Sequence, residues 1–148
     1  MSKQPELEPA IIVIFAVTGD LAQRYLLPAL YHLFKDSLLH KDTEIIGLTR
    51  QDLTAEQLFD KVELCINEVD KVCDPKALKA IQEKTSLLQF DPNKPEDYAT
   101  LLEELNATEE KHGVCMNRLY YLSIPPQVFT TVVHNLGQAG LNTSCQHG

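Results

Sequence analysis

The chain has 148 residues, one domain's worth, and its 44% apolar and 23% charged residues are those of an ordinary globular protein, neither disordered nor fibrous. A formal net charge of −8 without any Lys/Arg-rich run argues against a basic footprint for nucleic acid and against docking on an anionic membrane. The longest apolar run, residues 10–17, is far too short to span a bilayer, and the opening MSKQPELEPA lacks the apolar centre of a leader peptide, so a cytoplasmic protein is expected.

In chain order, residues 1–9 read as a flexible tail, polar and interrupted by Pro5 and Pro9. Ala10 to Ala16 is a β-branched apolar run without alternation, which suits a strand buried on both faces of a parallel sheet. Pro28 fits the first turn of a helix but not its interior, so residues 20–26 are expected as a tight turn and 27–36 as the helix. Glu44 to Leu48 is a second strand. Thr54 and Gln57 form a capping-box pattern opening a helix to about Glu68. Asp74-Pro75 pairs an N-cap with a first-turn proline and starts another helix, to about Lys84. Ser86 to Phe90 reads as a short strand, Pro95 to Lys111 as a helix, and Arg118 to Ile124 as a strand that Pro125-Pro126 stops. Gln127 to Gly137 reads as a last helix with a glycine stop.

Strands separated by helical patterns imply βαβ units, hence an α/β, Rossmann-like, doubly wound, mainly parallel sheet over residues 10–148. The chain stops in LNTSCQHG where a fifth strand is expected, so the sheet reads as incomplete at that end: a piece of something longer, or a shortened chain. Its four cysteines, Cys65, Cys73, Cys115 and Cys145, include no C-x-x-C pair, so reduced thiols and no zinc site are expected.

In open α/β sheets ligands sit at the carboxyl ends of the strands, and the turn after strand one faces a dinucleotide's pyrophosphate. Free N–H groups and the helix dipole attract anions there, and glycine permits close approach. Gly19 occupies that place; taken alone it fits a plain strand-to-helix turn as well. Arg50 follows the second strand, where an acid would bond a ribose 2′-hydroxyl and an arginine accommodates a 2′-phosphate, favouring NADP.

Three segments then carry a resemblance. VTGDLAQRYLLPALYHLF (17–34) is similar to the G-A-S/T-G-D-L-A-K-R-K-L-x-P-A-L-Y segment of the glucose-6-phosphate dehydrogenase family. IIGLTR (45–50) resembles that family's second strand with its NADP-binding arginine, and NRLYYLSIPPQVF (117–129) its fourth, N-R-L-x-Y-L-A-x-P-P-x-x-F. The resemblance covers essentially the whole chain. It implies that Ala16, Val17, Thr18, Gly19, Asp20, Leu21, Ala22 and Gln23 wrap the NADP pyrophosphate and that Arg50 binds the 2′-phosphate. It further implies that Asp91 and Pro92 line the adenosine side and that Phe129 lies near the nicotinamide end. The parent reaction it implies takes glucose 6-phosphate and NADP to 6-phosphogluconolactone and NADPH, in the oxidative pentose phosphate pathway.

The departures are specific. The family's first glycine is Ala16 here; its methyl is tolerable at negative φ and crowds the turn at positive φ. A lysine associated with the active site is replaced by Tyr25. The family's E-K-P motif, and the large α+β domain with its general-base histidine, have no counterpart in residues 1–148. His32, His40, His112, His134 and His147 read as surface or helix-face residues, so no catalytic residue is assigned and this stretch is not expected to turn over substrate by itself. The other reading is a naturally short, non-catalytic module binding a nucleotide or a protein, with self-association favoured by an open sheet edge. A short-chain dehydrogenase fails on TGDLAQRY, which lacks a third glycine.

Overall fold

The computed structural model describes residues 7–70 and 73–142. The expectations placed on residues 1–6 and on Cys145 and His147 lie outside the described residues. Four strands, β1 (Ala10–Phe15), β2 (Glu44–Thr49), β3 (Thr85–Gln89) and β4 (Asn117–Leu122), form one parallel sheet in the order β3-β2-β1-β4. Five α-helices connect and follow them: α1 (Leu27–Lys35), α2 (Ala55–Asp70), α3 (Pro75–Glu83), α4 (Pro95–His112) and α5 (Pro126–Gln138).

Helices cover both faces, as the continuous apolar runs of β1 and β2 require. Ile12 and Ile14 of β1 pack with Leu27, Leu30 and Tyr31 of α1, Leu58 and Val62 of α2, and Leu78 and Ile81 of α3. Ile11, Val13 and Phe15 point the other way, to Tyr98, Leu101 and Leu105 of α4 and Val132 and Leu136 of α5. Strand periodicity of two produces this division. β4 differs: Leu119, opposite Ile12, and Tyr121, opposite Ile14, are exposed, so the α1–α3 layer stops short of this edge strand.

Two boundaries depart from the sequence reading. Residues 20–26 are helical rather than a tight turn: helix begins at Asp20 and widens into a π-helical turn over Ala22–Leu26 before α1. Pro28 has no N–H, and its ring crowds the carbonyl four residues back. The wider turn accommodates it, and the Leu27 N–H reaches the Ala22 carbonyl. At the end of α5 the left-handed residue is Gly140 (φ 77), not Gly137; the Leu141 N–H returns to the Leu136 carbonyl at 2.9 Å, closing a Schellman cap. Pro125-Pro126 is trans, there being no cis bond among the described residues.

Candidate functional site: the cleft at the carboxyl ends of the strands

β1 ends at Phe15 and the chain turns sharply at Ala16, whose φ of 58° is left-handed. The Gly19 N–H closes the turn on the Ala16 carbonyl at 2.9 Å. A Cβ on Gly19 would stand 3.1 Å from that same carbonyl, so the closure depends on glycine. Ser123, just after β4, steadies the turn from behind by donating to the Phe15 carbonyl and, at 3.5 Å, to the Ala16 carbonyl. Gln23 ties it from the front: its backbone N–H donates to the Gly19 carbonyl and its side-chain amide to the Thr18 carbonyl, both at 3.1 Å.

Val17 is not available to a ligand. Its N–H donates to the Leu48 carbonyl (3.1 Å) and its side chain is wholly buried over Gly47. A Cβ at Gly47 would meet Val17 Cγ1 at 2.9 Å and Leu87 Cδ2 at 2.7 Å, so this glycine lets the turn seat on β2. Ala22 is likewise core. Asp20 is exposed and paired with Arg24 across one helical turn at 2.9 Å, and Leu21 is exposed. Among the described residues no backbone carbonyl accepts from the N–H groups of Asp20, Leu21 or Ala22. These are the orphan donors of a helix start, at its positive end.

Across the gap, Thr49 closes β2 with its hydroxyl 3.2 Å from that of Thr18. Arg50 follows, its guanidinium 3.4 Å from the Asp91 carboxylate, with two-thirds of the arginine side chain exposed. The loop carrying Asp91 and Pro92 is fixed from several sides. The Asp91 N–H donates to Asp97 (2.8 Å), and the Pro92 carbonyl accepts from the Tyr98 hydroxyl (2.8 Å) and from Asn135 (3.3 Å). Burial pushes the Tyr98 phenol above its ordinary pKa, which keeps it protonated as that donor. Beneath the loop, Phe15, Phe90 and Tyr98 stack edge to face, with centroids 5.5 and 4.8 Å apart.

Between these walls lies a cavity of about 280 Å³. Ala16, Thr18 and Gly19 line one side, Thr49, Arg50 and Gln51 the other, Phe15, Leu48 and Phe90 give it apolar surface, and Pro92 and Ile124 complete it. A second, more polar hollow of about 420 Å³ continues past Arg50 to Gln89, Asp91, Lys94 and Asp97. A close glycine turn and an exposed guanidinium beside an apolar wall, with the orphan N–H donors of the helix start flanking the turn, suit a ligand with anionic groups and a flat apolar part.

Of the residues singled out in the sequence, Ala16, Thr18, Gly19, Arg50 and Pro92 line the first cavity, and Arg50 and Asp91 the second. Asp20, Leu21, Val17, Ala22 and Gln23 build or flank the turn without lining either. Phe129 lines neither cavity. It lies within α5, 39% exposed, and the chain instead presents Ile124, which precedes the two prolines. Sequence reading missed Thr49, Gln51 and Ile124; the Thr49 hydroxyl, one residue before Arg50 at a strand end, was the available signal. No histidine lines either cavity among the described residues, and no group of three His, Cys, Asp or Glu there is placed to hold a metal. Cys65 and Cys73 are free thiols.

Comparison with known proteins gives one answer at every level. Residues 13–148 match the family model described as "Glucose-6-phosphate dehydrogenase, NAD binding domain". The glucose-6-phosphate 1-dehydrogenase of Chlamydia muridarum is 31% identical over 136 residues, covering 90% of this chain and 27% of the relative. The chloroplastic glucose-6-phosphate 1-dehydrogenase 1 of Arabidopsis thaliana is 34% identical over 140 residues, covering 93% and 23%. The crystal structure of the Mycobacterium avium enzyme superposes with a TM-score of 0.78 at 30% identity, over 93% of this chain and 28% of that one. A glucose-6-phosphate dehydrogenase in complex with glucose 6-phosphate superposes with a TM-score of 0.83 at 28% identity, over 100% of this chain and 30% of that one. The chain thus spans about a quarter of the length of the curated relatives it matches.

Proposed function

This chain belongs to the glucose-6-phosphate dehydrogenase family, and from that premise we propose that its cleft is a berth for NADP. The turn at Ala16–Gln23 takes the pyrophosphate on the N–H groups of the helix start, and Arg50 takes the 2′-phosphate. Asp91 and Pro92 border the adenosine side. The observation that supports this most is that the glycine turn and Arg50, remote in sequence, line one cavity at the carboxyl rim of the sheet.

In the longer protein the reaction is the oxidation of glucose 6-phosphate to 6-phosphogluconolactone, in the oxidative pentose phosphate pathway, with NADP as hydride acceptor. The residues here bind, orient and shield that cofactor; the chemistry belongs to it. A base, and a lysine to contact the sugar phosphate, come from outside residues 1–148, so this stretch alone binds nucleotide without turning over substrate. A cytoplasmic setting belongs to the same proposal, as does an absence of nucleic-acid and membrane partners. Among the described residues no helix is long and apolar enough to cross a membrane. Self-association belongs to the same proposal, and the exposed Leu119 and Tyr121 of β4 are compatible with it.

Calorimetric titration with NADP and NAD tests the reading. NADP is expected to bind more tightly, and Arg50→Asp to remove the difference. Equal affinity in the unmutated chain would overturn the assignment of Arg50.

A further inference from the structure

The polar hollow beyond Arg50 holds two cations and two carboxylates: Arg50, Lys94, Asp91 and Asp97. Both acids are engaged by the chain's own donors. Asp91 Oδ1 accepts from the Asn93 N–H at 2.9 Å and from Arg50 Nη2 at 3.4 Å, and Asp97 Oδ2 accepts from the Asp91 N–H at 2.8 Å. Lys94 is different. It is exposed at the N-cap of α4, and among the described residues its ammonium has no hydrogen bond or ion pair. Its backbone is nevertheless fixed: its N–H donates to the Asp91 carbonyl at 3.0 Å, and its carbonyl accepts from the Asp97 N–H at 3.1 Å. An uncommitted ammonium on a held backbone therefore faces the same hollow as an arginine whose carboxylate partner among the described residues, Asp91, lies 3.4 Å away and is partly exposed.

We propose that Lys94 is the second cation of a phosphomonoester subsite, closing with Arg50 on the 2′-phosphate of the nucleotide. This rests on the reading of Arg50 given above and adds a specificity residue to it. A phosphomonoester is close to a dianion at neutral pH, and one guanidinium leaves part of that charge uncompensated. Arg50 supplies planar, paired hydrogen bonds; Lys94, lining the same hollow, supplies a mobile point charge. Gln89 stays out of the contact, because its amide already donates to the Arg50 carbonyl at 3.3 Å and serves to hold that backbone.

The test is calorimetry of Lys94→Gln and Arg50→Gln beside the unmutated chain, with NADP and with NAD, at low and at physiological salt. Lys94→Gln is expected to weaken NADP roughly three- to tenfold, leave NAD unchanged, and flatten the salt dependence of NADP binding. Lys94→Arg should restore most of the loss. If Arg50→Gln removes the preference for NADP while Lys94→Gln leaves both affinities and the salt dependence unchanged, the Lys94 proposal falls and the Arg50 reading stands. If neither variant alters the ratio of NADP to NAD, or if the unmutated chain binds neither nucleotide, both fall. Circular dichroism of each variant separates a lost contact from a lost fold.

Discussion

The two rims of the sheet treat charge in opposite ways. At the amino rim, the charges satisfy one another. Glu44, the first residue of β2, takes His112 at 2.7 Å and Lys111 at 3.3 Å, and Asp42 lies within 4.0 Å of both His40 and His112. Arg118, near the start of β4, is clamped to Glu109 at 2.7 Å, with side chains only 9% and 2% exposed, and also donates to Asn106 at 3.1 Å. Glu44 and Arg118 tie the last turns of α4 to the sheet, and Asp42 joins the loop before β2 to the end of α4. At the carboxyl rim, the turn and loops are held mainly by backbone, hydroxyl and amide contacts; among the described residues three N–H groups and the Lys94 ammonium have no partner, and Arg50 reaches the Asp91 carboxylate only at 3.4 Å. One rim is a fastening. The other is the proposed place of an anion, at the start of a helix. That difference is what α/β topology provides, since helix N-termini gather where strands end.

The comparison can be broken hardest at the fastening. Glu109→Gln leaves the Arg118 guanidinium without its counter-charge in a mostly buried place, and unfolding free energy should fall by about 3 kcal/mol. Urea denaturation measures it. Because the damage lies at the amino rim, the preference for NADP over NAD should survive in the folded fraction. A loss of that preference would mean that the rims are coupled through α4, whose first turn carries the Asp97 and Tyr98 contacts to the Asp91–Pro92 loop.

Gly47→Ala should be next in size and should cross the divide. The new methyl meets Val17 and Leu87 side chains inside 3.0 Å, and overpacking of this kind costs about 1–3 kcal/mol. Val17 is the residue that seats the turn on β2, so nucleotide affinity should fall together with stability. Weaker stability with unchanged NADP affinity would show that Leu87 alone yields, and that the turn is independent of its seat.

Much of this architecture could be read from local pattern. The capping box exists as reciprocal bonds between Thr54 and Gln57 at 2.9 and 3.1 Å, and Asp74 caps α3 by accepting from the Lys76 N–H. These are contacts between residues two or three apart, where spacing is sufficient information. The π-helical turn was hidden because Pro28 says only that an ordinary helix cannot run through it, not whether the chain will stop or widen. Gly137 misled because Gly140 was an equally good stop, and the choice belongs to Leu141, which buries its side chain against the α4–α5 face. The Thr18–Thr49, Arg50–Asp91, Lys111–Glu44 and His112–Glu44 contacts join residues from 31 to 68 positions apart, and only strand order brings them together. Phe129 was expected near the nicotinamide end by resemblance; it lies within α5 and lines neither cavity.

Alkali should reach both rims at once, through hydroxyls rather than charges. Burial raises the pKa of Tyr98, whose hydroxyl holds the Pro92 carbonyl, and of Tyr120, whose hydroxyl donates to the Leu141 carbonyl at 2.9 Å. Burial likewise raises Tyr31 and the Cys73 thiol. In each case the unfolded chain releases its proton at lower pH than the folded one. The native state therefore binds more protons, and stability falls as pH rises past the ordinary thiol and phenol values. Below pH 8 these groups should contribute no slope. Denaturation midpoints between pH 8 and pH 11 measure it, and Tyr98→Phe should flatten the alkaline end.

The smallest effect expected is also the most local. Ala16 holds a left-handed conformation at φ 58°, which costs an L-residue about 1–2 kcal/mol and costs glycine nothing. Ala16→Gly relieves that strain but gives the unfolded chain extra freedom, worth about 0.5–1 kcal/mol in the other direction. A net gain of about 0.5 kcal/mol should remain, visible as a rise of roughly 1–2 °C in Tm for a domain of this size. The same change removes a methyl from the lining of the cleft, where the pyrophosphate is proposed to lie, so NADP should bind slightly more tightly. Ala16→Val separates the two causes. Its branched side chain worsens the backbone strain and fills the cleft, so Tm and affinity should both drop. If Ala16→Gly lowers Tm, the turn is held by the Ser123, Gly19 and Gln23 hydrogen bonds strongly enough that residue 16 contributes only chain entropy, and the carboxyl rim is fastened as firmly as the amino rim after all.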